Sequence, residues 1–166
     1  NEKNKTQGQL NIYTGVEGRK LFQKEFEGLP VCFYDSVDHK FIWEILKRAD
    51  ILLHVESQNL KVFPFIKYSI STKIPEYLAT GKLILYYGPR STALYKYLKG
   101  NDVALVADNF DVLCLKVEEA MIQLDFSRIQ IAAVDLCKKR HMMENNCEKL
   151  KRIFVQAIEE DKRNGG

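Results

Sequence analysis

The chain reads as an α/β protein, a parallel sheet of about five or six strands with helices on both faces. Three observations carry that reading. Short apolar runs alternate with helical stripes at spacings that suit βαβ crossovers. One run, Ile51-Leu52-Leu53-His54-Val55, is continuously apolar apart from its histidine, the pattern of a strand buried on both faces. A third stretch, Ser71 to Pro89, passes from a helix through a single glycine into another apolar run and a sharp turn.

The elements follow in order. Residues 1–9 are polar and lysine-rich and read as a flexible start; residues 10–166 read as one domain with a long helical tail. Leu10 to Thr14 is a strand entering a turn at Gly15, and Glu17 to Glu27 has helical spacing through Leu21, Phe22 and Phe26. Val31 to Tyr34 is a second strand. Asp38 is the N-cap of a helix whose stripe is Phe41, Ile42, Ile45, Leu46 and Ala49. After Val55 comes an irregular stretch over 57–70, the longest of the connections, and long loops in compact domains tend to carry function. Ser91 to Leu98 reads as a short helix and Val103 to Val106 as the last strand. Asp108 or Asn109 caps a helix running to about Leu124, and the tail runs from Phe126 to about Asp161 with a break near His141 to Asn146.

Composition sets broad limits. With 166 residues, 46% hydrophobic and 28% charged, the chain can bury a substantial core. A net charge of +3, with basic and acidic residues interleaved, gives no footprint for nucleic acid. Cys32, Cys114, Cys137 and Cys147 form no Cys-x-x-Cys pair and lie in apolar patterns, so they read as reduced, packed thiols in a cytoplasmic setting. His39, His54 and His141 are not spaced with them as metal ligands would be, and no metal site is expected. No apolar run approaches the length that spans a bilayer.

The densest information lies in Ser71-Thr72-Lys73-Ile74-Pro75-Glu76-Tyr77-Leu78-Ala79-Thr80-Gly81-Lys82-Leu83. Pro75 fits only a first helical turn, so the helix starts close to Ser71 or Thr72. Ile74, Tyr77 and Leu78 then point inward, while Lys73, Glu76 and Thr80 share another face. A cation and a carboxylate thus sit at a positive helix end, which suits the phosphates and hydroxyls of a sugar–diphosphate.

This segment resembles the signature of GT-B glycosyltransferases of the GT4-like group, in which Glu-aromatic/Met-Leu-Ala-x-Gly-Lys-Pro-Ile/Val closes the nucleotide-sugar site of the C-terminal domain. Leu83 stands where that family usually has proline, and Tyr68 where it carries a second glutamate. The resemblance implies a Rossmann-like donor-binding domain, the C-terminal half of a GT-B fold. It implies transfer of a sugar from a UDP- or GDP-linked donor to a hydroxyl acceptor, retaining and metal-independent, with no cofactor besides the donor, in polysaccharide or lipopolysaccharide synthesis. The family's diphosphate-binding Arg/Lys pair and acceptor-binding N-terminal domain have no counterpart here. Part of a catalytic residue set, and any contact with the inner face of the membrane, is therefore expected on a missing domain, with this chain alone inactive and no catalytic residue named in it.

On that resemblance Glu76 accepts bonds from the ribose hydroxyls, and Lys73, Thr72 and Ser71 hold the diphosphate. The Gly88-Pro89-Arg90-Ser91 turn approaches the donor at Pro89, the loop around Val37 meets the base through backbone groups, and Glu56 and Ser57 line the crevice. The alternative of another class is a degenerate, noncatalytic α/β domain used for protein interaction. A receiver-like domain would want acids after its first strand, and Asn11 to Gly15 offers none.

Overall fold

The computed structural model describes residues 8–122 and 125–164. The start of the chain before Gly8 and the expected helix end at Leu124 lie outside these residues. Among the described residues five strands alternate with helices: β1 (Leu10–Thr14), α1 (Val16–Phe22), β2 (Val31–Asp35), α2 (His39–Arg48), β3 (Ile51–Val55), α3 (Phe63–Ile66), α4 (Lys73–Thr80), β4 (Leu83–Tyr87), α5 (Ala93–Gly100), β5 (Leu105–Ala107), α6 (Phe110–Ile122), α7 (Ser127–Arg140) and α8 (Met143–Asn164).

Every strand pairing is parallel, but the strands do not form one sheet. β1 pairs with β2, and β3, β4 and β5 form a separate three-stranded sheet in that order. The expected single sheet of five or six strands is thereby corrected to two small ones. The physical reason is that hydrophobic runs specify that a segment is extended, not which edge it pairs with; no ladder joins β1 or β2 to the larger sheet.

The core is built around β4. Its side chains alternate between two faces. Ile84 and Tyr86, both fully buried, join Ile74 and Leu78 of α4, Leu94 and Leu98 of α5, and Ala133 and Leu136 of α7. Leu83 and Leu85 point the other way, with Leu105 of β5, and pack on Leu113 and Ala120 of α6. Helices therefore cover both faces of the three-stranded sheet. The first half is thinly covered by comparison: Leu46 is the one buried side chain among the described residues before Asp50.

Local differences from the sequence reading have local causes. The helix expected over Glu17 to Glu27 divides into α1 and a 3-10 helix, Gln23–Phe26, before Gly28 turns the chain at φ +81°. The irregular stretch contains α3, which Pro64 can enter because it occupies the opening positions. α5 starts two residues later than Ser91, where the Thr92 hydroxyl accepts from the Tyr95 amide, and β5 is displaced toward Ala107. Asn109 caps α6, its carbonyl oxygen accepting from the Val112 amide at 2.9 Å. The tail breaks at His141–Met142. Cys137 is buried, but Cys114 and Cys147 are exposed rather than packed; all four thiols are free. No helix of the described residues is long and apolar enough to cross a membrane.

Candidate functional site

Parallel strands in a sheet end on the same edge, and in open α/β sheets ligands bind beyond the carboxyl ends. The sequence-derived candidates are distributed along the loops at those ends. Val37 lies in the short loop between β2 and α2, Glu56 and Ser57 follow β3, Pro89 follows β4, and Ser71, Thr72, Lys73 and Glu76 open α4.

Helix α4 forms as its sequence demands. Ile74 and Leu78 are fully buried against α7, and Gly81 ends the helix in the left-handed region at φ +66°, its amide bonded to Leu78. Its opening turn leaves Thr72 and Lys73 exposed and Glu76 partly so. The turn's amides are largely used at home. The Lys73 amide points at the Ser71 hydroxyl oxygen at 3.4 Å, the Ile74 amide donates to the Ser71 carbonyl at 3.1 Å, and Pro75 has none to give. Groups still suited to an anion are the Lys73 ammonium and the hydroxyl protons of Ser71 and Thr72.

Glu76 is tied to the β2 side of the molecule. Its Oε1 lies 3.0 Å from Nε2 of His39, the first residue of α2. Asp38 caps that helix by accepting from the Lys40 amide at 3.1 Å, which fixes where His39 leaves the backbone. Val37, exposed, stands just before the cap. α2 and α4 pack together, so the β2–α2 loop and the start of α4 share a neighbourhood. The carboxylate raises the pKa of the adjacent Tyr77, although burial of that phenol is the larger cause.

A buried polar network lies under the β3 and β4 ends. Glu56, 9% exposed, accepts a 2.7 Å bond from the Tyr86 hydroxyl. That hydroxyl is also 2.9 Å from the hydroxyl of fully buried Thr92, which lies 3.0 Å from the Pro89 carbonyl oxygen. The network joins the end of β3 to the β4–α5 turn and the cap of α5. Burial pushes the Tyr86 phenol well above its ordinary pKa, with the Glu56 carboxylate reinforcing it. His54 Nε2 stands 3.9 Å from Glu56 Oε1. Burial lowers the pKa of His54; Glu56 opposes the change and the Lys73 ammonium adds to it. Lys73 is thereby placed within electrostatic reach of the β3 end.

The turn after β4 is tightly built. A Cβ on Gly88 would lie 2.5 Å from the Tyr86 hydroxyl oxygen and 2.9 Å from Glu56 Cβ. Arg90 Nε is 3.9 Å from Asp108, which follows β5. Ser57 accepts from the Asn59 amide at 3.1 Å and shapes the start of the long connection. Tyr68, at the position where the resembled family has its second glutamate, is exposed with the Lys67 ammonium 4.9 Å from its ring.

The structure thus brings Glu76, Lys73 and the Val37 loop toward one another and places Glu56 beneath the Pro89 turn. His39, Tyr86 and Thr92 were not singled out from sequence. A tyrosine inside an otherwise apolar strand was a usable signal, because a buried phenol needs a partner. His39 carried none beyond its position after a cap.

A cleft of about 780 Å³ opens elsewhere, between the α1 to 3-10 segment and β2, with Arg19, Lys20, Lys24, Phe26, Phe33 and Tyr34 among its walls. Arg19 crosses this region, donating to Asp35 at 2.9 Å and to the Phe33 carbonyl at 3.4 Å, while its buried Nε has no hydrogen-bond partner. Among the described residues, no group of three or more His, Cys, Asp or Glu is arranged to hold a metal ion. The chain is an α/β protein of parallel strands alternating with helices, and neither a protein-family model nor a curated protein matches it.

Proposed function

We propose that the chain is the nucleotide-sugar donor-binding domain of a GT-B, GT4-like glycosyltransferase. The observation that carries this reading is the placement of Glu76 and Lys73 on the partly open first turn of α4, at the carboxyl-end side of a parallel sheet. In this reading Glu76 accepts from the two ribose hydroxyls. A carboxylate is suited to that task, having two oxygens and no proton to give. The Lys73 ammonium, with the hydroxyls of Thr72 and Ser71, meets the diphosphate. Val37 and its neighbours border the base, while Glu56 and Ser57 support the crevice floor together with the Pro89 turn.

The chemistry asked of the site is stabilisation of negative charge on the departing diphosphate as the sugar leaves. Lys73 supplies a fixed positive charge for it. The opening-turn amides contribute once a phosphate oxygen competes with Ser71 for them. The acceptor hydroxyl and any base would come from a second domain, and the pathway would be assembly of a polysaccharide or lipopolysaccharide on the cytoplasmic side of a membrane.

The test is calorimetric titration of the chain with UDP, GDP and their sugar conjugates, repeated with Glu76→Ala. Binding of one nucleotide series that disappears in the variant, while the fold is retained by circular dichroism, is the expected result. Absence of binding to every nucleotide rejects it.

A second reading, a noncatalytic α/β domain used for protein contacts, is favoured by a separate observation. The large cleft lies beside β2 rather than at Glu76, and large apolar side chains such as Leu21, Leu60, Phe65 and Phe154 are exposed.

A further inference from the structure

Helix α8 has 22 residues, a length of about 33 Å. Every residue of it whose burial is described is exposed. At about 100° per residue, Cys147, Leu150, Ile153, Phe154, Ala157 and Ile158 fall on one stripe roughly 140° wide. Leu150, Ile153, Phe154 and Ile158 are each more than half exposed. Most helices of proteins owe their stability to packing of such a stripe, and here no described residue covers it.

The charges on α8 are divided along its length. Lys149, Lys151 and Arg152 cluster before the middle and Glu159, Glu160 and Asp161 after it, with Glu144 and Glu148 ahead of the basic cluster and Lys162 and Arg163 behind the acidic one. The intrahelical pairs Lys151–Glu148 at 3.1 Å and Arg163–Glu159 at 3.7 Å are exposed and weak. They leave Lys149 on one flank of the stripe, and Glu160, which accepts from Gln156 at 2.9 Å, on the same flank about three turns later.

We propose that the apolar stripe of α8 docks against α8 of a second copy of this chain, antiparallel about a two-fold axis near Phe154. A two-fold axis perpendicular to the helices makes the same flanks of the two copies neighbours. Lys149 then lies opposite the partner's Glu160, and Glu160 opposite the partner's Lys149. Phe154 meets its counterpart near the axis, and Leu150 lies at the height of the partner's Ile158. A parallel pair brings opposite flanks together and sets Lys149 beside the partner's Lys151, which costs repulsion instead. Charge order and apolar stripe select the same arrangement.

Sedimentation equilibrium of the 166-residue chain tests this. The expected result is a monomer–dimer equilibrium that Phe154→Glu abolishes without loss of helical circular dichroism, since the residue is exposed. Lys149→Glu and Glu160→Lys each weaken the dimer by about tenfold or more, and the double exchange restores it to within about threefold, because the swapped charges match again. In a Cys32→Ser, Cys114→Ser background, the two Cys147 thiols of the antiparallel pair stand about 20 Å apart, beyond disulfide reach. Rapid Cys147–Cys147 oxidation therefore overturns the antiparallel arrangement. So does a chain that stays monomeric at about 200 µM, whether or not it floats with phosphatidylcholine–phosphatidylserine vesicles, or a dimer insensitive to both charge reversals.

Discussion

His39 and Glu76, 37 residues apart in sequence, meet at 3.0 Å and link the opening turns of α2 and α4. The histidine side chain is 82% exposed and the glutamate 35%, so the pair is worth about 0–1 kcal/mol. His39→Ala should accordingly move the urea midpoint little. It frees Oε1, so nucleotide affinity measured by calorimetry should be equal or higher. Glu76→Ala should be just as stable and lose nucleotide binding, separating the carboxylate's proposed role from the contact it makes with His39.

Tyr86→Phe should be destabilising for a reason apart from size. The hydroxyl is the donor to buried Glu56 and a neighbour of buried Thr92, so its removal leaves the carboxylate short of a partner at a cost of about 1–3 kcal/mol. Glu56→Gln keeps an acceptor for the phenol and should cost less. Urea unfolding of the two single variants and the double variant gives the coupling between them directly.

His54 and His141 both have pKa values lowered below their ordinary value, chiefly by burial. The unfolded chain therefore takes up a proton before the folded chain does, and acid favours unfolding. Their contribution to stability is complete above the ordinary histidine pKa, about 6.5. It is lost as pH falls from there through the lower folded values. Urea midpoints between about pH 7.5 and 5 should decline, and His54→Asn should flatten the decline. Lys73→Met should also reduce it, because the ammonium helps to keep His54 neutral.

Gly88→Ala should be poorly tolerated. The added methyl meets the Tyr86 hydroxyl and Glu56 Cβ inside contact distance, and neither can retreat without breaking the bond between them. A loss of about 1–3 kcal/mol is expected, read as a fall in melting temperature of roughly 2–10 °C. Gly15→Ala, with nothing within 4 Å of the added atom, provides the control and should melt close to the parent chain.

Much of the α/β pattern could be read directly from residues. The α4–Gly81–β4 unit was the most legible part: Pro75 places the helix start, Ile74 and Leu78 its inner face, and Gly81 its end. The cap at Asp38 was an equally local signal; the apolar run of β3 marked a strand but not one buried on both faces, because β3 is an edge of its sheet and leaves Leu53 and Val55 exposed. What periodicity could not carry was pairing, so no residue pattern marked the division into two sheets. At the candidate site the types were visible but the partnerships were not. Glu56 stood out as a carboxylate ending an apolar run, yet its partner Tyr86 lies 30 residues away. His39 showed no pattern of its own, since a single exposed side chain after a cap imposes no periodicity. The opening turn of α4 looked richer in free amides than it is, because the competition from Ser71 depends on backbone geometry.

The concentration of buried side chains around β4 implies that the molecule does not resist opening evenly. Both core clusters are assembled from residues after Asp50, while β1 and β2 rest on each other with no fully buried side chain between them. Amide protons of Val31 to Asp35 should accordingly trade with solvent through local excursions, long before those of Leu83 to Tyr87, whose release requires the whole domain to come apart. The chain carries a soft front and a rigid keel, and a partner or ligand seated on the front would spend part of its binding energy on stiffening it.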